Sequence, residues 1–335
     1  MQLGIDTFVA NRPTTTPVER VAQLMEEVTT ADRVGLDVFA IGEHHRPDFI
    51  SSSPATLLAS AATVTKQITL SSAVTVLSSD DPVRVYQQFA TVDLVSGGRA
   101  EIQVGRGSFT ESYPLFGHDL NQYDQLFAER LDLLLNIREN EMVTWQGQTR
   151  SSLDGLGVYP RSLQPKLAVR LGVGGSPGSF VRAGRLGLPL TVAIIGGDPM
   201  RFRSLVDVYR KEYAAAGHDP AGCSVAVHSH GHISTDSAED ELWPSYEELM
   251  GRIGRERGWP PVTRHQFEAE VGPRGSLYVG TPEVVAGKIK RMSEALGGVD
   301  RVTLLMDGSL IKHEQILRSI ELFGTEVRGL LDSAL

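Results

Sequence analysis

The chain has 335 residues, 41% hydrophobic and 22% charged, with a formal net charge of −9. That composition suits a folded globular protein, and the acidic balance argues against nucleic acid or an anionic membrane as partner, since both require a basic surface. A lone cysteine, Cys223, excludes an intrachain disulfide or a thiolate metal cluster, and its apolar surroundings predict a buried, inert thiol.

The N-terminus lacks the basic and apolar regions of a signal peptide. No apolar run approaches the ~20 residues of a membrane span. A cytoplasmic protein is expected.

Strands and helices alternate along the sequence. Residues 3–9 form a β-rich run, and Pro17 opens a helix with Val18, Val21, Leu24, Met25 and Val28 at helical spacing. A short apolar strand at 37–42 precedes a helix at 54–66. Residues 68–77, rich in β-branched side chains, read as a third strand. Pro82 starts a helix that the glycines at 97 and 98 stop. A fourth strand at 99–104 and a helix at 121–141 follow. Strands at 167–173, 188–195 and 223–233 come next, with helices at 177–187 and 199–216. An eighth strand at 299–306 and a helix at 312–329 end the pattern.

Eight strands alternating with helices predict a parallel sheet closed into a (β/α)8 TIM barrel, one domain over 1–335. Insertion segments follow strand 4, at 105–120, and strand 7, at 234–276. The second holds helical pieces near 239–256 and 262–270. Its polar start, its glycines and Pro260-Pro261 predict a mobile lid that buries little apolar surface. Residues 142–166, rich in Gly, Ser, Pro and Arg, read as a connection.

Three groups carry candidate chemistry. Glu43-His44-His45 leaves the C-terminal end of strand 2, the edge where ligands bind in α/β proteins, and histidine moves protons near neutral pH. A stiffened loop explains an isolated Glu-His-His equally well. Val104-Gly-Arg-Gly-Ser-Phe109 follows strand 4, where Arg106 either clamps a phosphate or lies solvated in a tight turn. Gly172-Val-Gly-Gly-Ser-Pro-Gly-Ser179 opens a helix after strand 5, with Ser176 as N-cap and Ser179 as a second hydroxyl. It has neither the third glycine of a dinucleotide fingerprint nor a Walker lysine. His228 and His230 alternate on strand 7, with His232 beyond them. Without a third ligand at metal spacing they read as a polar layer in the barrel mouth, and no metal site is expected.

In order, Glu43-His44-His45, Ala73-Val-Thr-Val-Leu77, Asp81-Pro-Val-Arg84, Ser96-Gly-Gly-Arg99, the 104–109 loop, Phe116-Gly-His-Asp119, Gly174-Gly-Ser-Pro177 and Tyr278-Val-Gly-Thr-Pro-Glu283 resemble the bacterial luciferase-like flavin monooxygenase family. The resemblance spans essentially the whole chain. It implies a barrel, usually dimeric, that binds reduced FMN at its C-terminal mouth. The flavin ring would rest against a non-prolyl cis peptide between Ala73 and Val74. Arg106, Ser108, Gly174, Gly175, Ser176 and Ser179 would hold the phosphate. His44 matches the catalytic histidine, with His45 and Glu43 orienting it or lining the pocket. The implied reaction uses O2 and a flavin hydroperoxide to oxidise a small organic substrate, an aldehyde, ketone or similar. Reduced flavin would come from a separate NAD(P)H:flavin reductase, and a homodimer is implied. The alternatives are a deazaflavin-dependent oxidoreductase that transfers hydride and a noncatalytic flavin-binding protein of the same fold. Glu-His-His leans toward FMN. Gly105 stands where the light-emitting enzyme has a reactive cysteine, so bioluminescence does not follow.

Overall fold

Eight parallel strands close on themselves in the computed structural model, which describes residues 1–107 and 109–333. In chain order they are β1 (Gln2–Thr7), β2 (Val38–Ile41), β3 (Thr69–Ser72), β4 (Ala100–Gly105), β5 (Ala168–Val173), β6 (Leu190–Ala193), β7 (Val225–Ile233) and β8 (Arg301–Leu305). Each pairs with its sequence neighbours, and β8 returns to β1 with Gln2 opposite Arg301 and Asp6 opposite Leu305. Thr75–Val76 continues β3 beyond a break and pairs with the end of β4. The helices pack outside: α1 (Pro17–Arg33), α2 (Pro54–Val64), α3 (Pro82–Ser96), α4 (Tyr123–Glu139), α5 (Pro177–Arg185), α6 (Arg203–Ala215), α7 (Ala238–Arg257), α8 (Arg264–Val271), α9 (Pro282–Ala295) and α10 (His313–Leu322).

Local sequence sets the helix ends. Thr16 and Glu19 form a reciprocal capping box on α1. Asp81 caps α3, and Gly97, at φ +71°, ends it in the left-handed conformation that costs glycine least.

The apolar core lies between strands and helices, with Leu3, Ile5, Phe39, Ile41, Leu70, Ile102, Leu171, Val192, Val227 and Leu304 all buried. The lumen is unusually polar. Glu101 on β4 reaches across the barrel to Arg301 on β8 at 2.6 Å and lies 3.7 Å from Arg170 on β5. Burial pushes the Glu101 carboxyl up, but the two arginines outweigh it and hold it down at about 2. Nearer the mouth, His228 bonds Asp6 at 3.2 Å. The β7 histidines therefore point into the lumen, as their alternation predicts.

Four features depart from the sequence reading. β1 stops at Thr7 instead of Val9, because Val9 adopts φ +54°. That is a rare conformation for a β-branched residue. The Asp307 carboxylate holds this turn together, accepting from Thr7 Oγ1 at 2.9 Å, Phe8 N at 3.1 Å and Ala10 N at 2.8 Å. Residues 142–166 contain an antiparallel hairpin, Met142–Trp145 with Leu153–Gly157. The crossover helix after β7, α9, was not anticipated. Its Lys288 donates to the carbonyls of Val271 at 2.7 Å, Gly272 at 2.8 Å and Leu277 at 2.6 Å, tying down the end of the insertion. Burial draws that lysine's pKa down to about 8.

The insertion has its helical pieces close to where the sequence places them but departs from expectation in what it buries. It forms two helices, α7 and α8, that bury Leu242, Tyr246, Phe267 and Val271. It buries a substantial apolar face, contrary to the expectation of little.

Candidate active site

β2 ends at Ile41, and Gly42 turns the chain into Glu43-His44-His45. Only glycine fits there: an added Cβ would lie 2.3 Å from the Phe8 ring and 3.0 Å from the Ala73 carbonyl oxygen. That close approach sets the histidines against the third strand.

His44 is buried in an aromatic box. Its ring lies 4.5 Å from Phe8, 4.7 Å from Phe49 and 5.0 Å from Phe109, centroid to centroid. The ring has no hydrogen-bond partner among the described residues, while the His44 backbone N–H donates to Ser51 O at 3.1 Å. Burial, reinforced by the charges of Arg46 and His45, draws its pKa down to about 3, so it is a neutral imidazole at pH 7.

Glu43 and His45 form a separate unit. His45 Nε2 bonds Glu43 Oε1 at 2.9 Å, while Glu43 Oε2 accepts from Val76 N at 2.9 Å. The bond to Glu43 raises the His45 pKa. Burial, then the Glu43 charge, pushes neighbouring Asp80 up to about 6. Glu43 thus touches His45 and the backbone of the third strand, and makes no hydrogen bond to His44.

The Ala73–Val74 peptide is cis, and β3 is interrupted there. The Val74 side chain fills the space above two glycines. A Cβ on Gly105 would come within 2.6 Å of it, and one on Gly172 within 2.8 Å. A side chain such as cysteine at 105 has no room while valine stands at 74.

The glycine turn after β5 is open. Added Cβ atoms on Gly174, Gly175 and Gly178 would meet nothing within 4 Å. Ser176 takes the N-cap position of α5, as expected, but its hydroxyl makes no capping bond and stays available to a ligand. Ser179 sits in the first turn of the same helix, its N–H bonded to Ser176 O at 3.0 Å. Arg106, read from the sequence as either a phosphate clamp or a solvated arginine, is engaged within the fold. Its guanidinium bonds Asp124 at 2.7 Å and stacks over Tyr123 at 4.7 Å, partners that spacing alone does not reveal. Arg182 on α5 lies near enough that its pKa falls, first through burial and then through the Arg106 charge. The two anion-friendly segments therefore meet. Ser108 lies outside the described residues. An open glycine turn, an uncapped helix start and converging arginines fit a phosphate.

Cys223 is half-buried, not fully buried as expected, and its thiol is raised by burial. His232 bonds Glu241 at 2.7 Å, joining β7 to α7. Ion pairs fasten α7 to the loop after β2: Arg46 with Glu256, and Arg252 with Asp48.

The histidines make stability depend on pH. His44 and His230, the latter drawn down to about 4 by burial and then by His228, stay neutral in the fold. Below pH 6.5 the unfolded chain takes up protons that these sites refuse, so stability falls from pH 6.5 toward 4. His45, His228 and His313 are raised and act oppositely, adding stability that is lost as pH rises through their folded values. His44→Asn removes one refusing site. The fall in Tm between pH 7.5 and 5.0 is expected to be smaller in this variant than in the wild type, and an equal fall would show that His44 titrates freely.

A (β/α)8 barrel with its candidate chemistry at the C-terminal mouth is the class that the geometry defines. Residues 1–299 match the model of the luciferase-like monooxygenases, and the chain belongs to that family. It is 28% identical over 316 residues to 4-hydroxyprotoasukamycin monooxygenase of Streptomyces nodosus subsp. asukaensis, covering 87% of this chain and 82% of that protein. Among solved structures it resembles the oxygenating constituent of 3,6-diketocamphane monooxygenase from Pseudomonas putida in complex with FMN. The TM-score there is 0.82 at 18% identity, over 99% of this chain and 98% of the other. An F420-dependent secondary alcohol dehydrogenase shares the fold, with a TM-score of 0.77 at 19% identity over 98% of each chain. The chain is thus an enzyme-family member. No helix among the described residues is long and apolar enough to cross a membrane.

Proposed function

We propose that the chain is a monooxygenase that uses reduced FMN and O2 to oxidise a small organic substrate, with the flavin delivered by a separate NAD(P)H:flavin reductase. The observation that carries this reading is His44, a neutral imidazole buried in an aromatic box beside the interrupted third strand.

Bound reduced flavin supplies the electrons that activate O2. The residues of the chain do the rest. Arg106, Ser176, Ser179 and the backbone of Gly174 and Gly175 would hold the phosphate, joined by Ser108 as the resemblance implies, and Asp124 positions Arg106. Ala73 and Val74 present the interrupted strand to the ring. Glu43 and His45 fix that strand through Val76 N. Phe8, Phe49 and Phe109 exclude water, which strengthens each electrostatic contact inside. Negative charge developing beside His44 raises its proton affinity, so the ring takes up a proton at Nδ1 or Nε2 as the reaction proceeds. The pair α7 and α8, residues 234–276, covers the mouth of what we read as a single-domain barrel, and a homodimer in the cytoplasm is the expected form.

Spectroscopic titration with reduced FMN and with reduced F420 tests the cofactor. Tighter FMN binding, with O2 consumption coupled to product, is the expected result. Tighter F420 binding and hydride transfer would replace this reading, and flavin binding without turnover on a broad substrate panel would point to a noncatalytic protein. Arg106→Ala is expected to weaken FMN about tenfold to a hundredfold, the loss of a charge-assisted contact of roughly 1.5–3 kcal/mol. Riboflavin, lacking the phosphate, should bind nearly as before. Equal losses for both ligands would remove Arg106 from the phosphate site.

A further inference from the structure

Opposite the phosphate turns, the loops after β1, β2, β7 and β8 enclose a cavity of about 260 Å³ beneath α7. Phe8 and Phe49 form one wall, and the same two rings pack against His44 from the other side. Leu242 and Leu305 add apolar surface. The cavity is slightly smaller than the ~300–1,000 Å³ typical of small-molecule sites.

Each charged group on its wall already has a partner, on the wall or behind it. Arg12 lies 3.5 Å from Glu27, and Asp307 lies 3.7 Å from Arg20. Arg252 pairs with Asp48 and, at 2.9 Å, with Glu248, which also accepts from Ser309. A charged ligand would therefore lose its hydration without finding an unpaired countercharge, a costly exchange. Two polar groups remain uncommitted. Neither the imidazole of His230, late in β7, nor the Tyr246 hydroxyl on α7 has a hydrogen-bond partner among the described residues, and their rings meet edge to face at 6.1 Å. Burial keeps both neutral at pH 7, with His230 drawn down to about 4 and Tyr246 pushed up to about 12. A neutral imidazole has one N–H and a phenol one O–H, and a carbonyl oxygen has two lone pairs to accept them.

We propose that His230 and Tyr246 are the specificity-determining pair of the substrate site, anchoring the carbonyl oxygen of an uncharged, largely apolar molecule in the cavity behind His44. This rests on the monooxygenase reading for the word substrate, but the binding claim stands apart from it. Two neutral donors in a charge-compensated pocket with apolar walls at Phe8, Phe49, Leu242 and Leu305 select a ketone or aldehyde over the carboxylate or amine of the same skeleton.

Calorimetric titration of the full chain with 2-nonanone and acetophenone, against nonanoate and benzoate, tests the pair. At least one ketone should bind, and at least tenfold more tightly than its matched acid. His230→Leu and Tyr246→Phe should each weaken that ketone roughly fivefold to tenfold, the loss of one neutral hydrogen bond. Their FMN affinity and Tm should match the wild type. No ketone binding, equal binding of ketone and acid, or ketone affinity unchanged in both variants would overturn the proposal. Should His230→Leu unfold, Tyr246→Phe decides alone. Ketone binding that depends on the pair in a chain that binds no flavin would support the anchor and overturn the flavin reading.

Discussion

His44→Asn is expected to slow turnover by about 10²–10⁴ while leaving FMN affinity close to wild type. That is the range for removing a positioned acid–base group. The wild-type ring makes no hydrogen bond that the fold needs, and its neighbours are the aromatic rings of Phe8, Phe49 and Phe109. Asparagine keeps a polar side chain of shorter reach in the same box, so a Tm change of only a few degrees is expected. Single-turnover kinetics with reduced FMN and substrate make the check, because they separate chemistry from binding. Normal turnover with a large loss of stability would return Glu-His-His to the role of a loop stiffener. The corresponding variants of Glu43 should behave differently. Glu43 acts on the Val76 backbone, so its loss should appear in flavin affinity before it appears in the chemical step.

Glu27→Ala is expected to be the most damaging change for stability. Glu27 is 1% exposed and receives Arg20 through both oxygens, at 3.0 and 3.2 Å. Arg20 is itself fully buried, and its remaining acidic neighbour is Asp307 at 3.7 Å. Burial lowers the Arg20 pKa, but Glu27 and then Asp307 outweigh it. Removing Glu27 leaves an under-compensated buried cation, which costs roughly 3–5 kcal/mol. Chemical denaturation should read that loss. A change below ~1 kcal/mol would mean that water reaches the arginine. The damage should also reach the active site, because Asp307 holds the turn at Val9 that aims Phe8 at His44. Glu27→Gln, which keeps the shape and one acceptor, should lose less.

The barrel was legible because its strands are short apolar runs punctuated by glycine and proline, and because several helix starts, those at Pro17, Pro54, Pro82 and Pro177, carry a proline. The parts that escaped have physical reasons. The hairpin within 142–166 exposes one face, with Met142 and Leu156 in solvent, so its composition reads as a loop. α9 carries Gly287 and several charged residues, which blur its apolar stripe, and the role of Lys288 lies in backbone carbonyls 11–17 positions away. The insertion's buried apolar residues, Leu242, Tyr246, Phe267 and Val271, are spread thinly along its sequence, so a low count hid a real face.

At the site, residue types at the strand ends were legible and pairings were not. Glu43 was read with its neighbours in sequence, but half of its bonding goes to Val76, 33 positions on. The choice between clamp and solvated arginine at Arg106 stayed open because its partner, Asp124, lies 18 positions on. His230 and Tyr246 meet only because α7 folds back over β7.

The contact of Val74 with Gly105 and Gly172 makes three positions on three strands answer to one another. A thiol at 105 requires the valine to be trimmed first, so the order of substitutions is constrained: Val74→Ala opens a path that Gly105→Cys taken first closes. A double-mutant cycle should find Gly105→Cys far better tolerated in the Val74→Ala background, and additive effects would show the positions to be independent. In this backbone, valine at 74 leaves room for glycine alone at 105. Chemistry that depends on a reactive sulfur there is separated from this chain by an intermediate that must survive with a poorly packed strand.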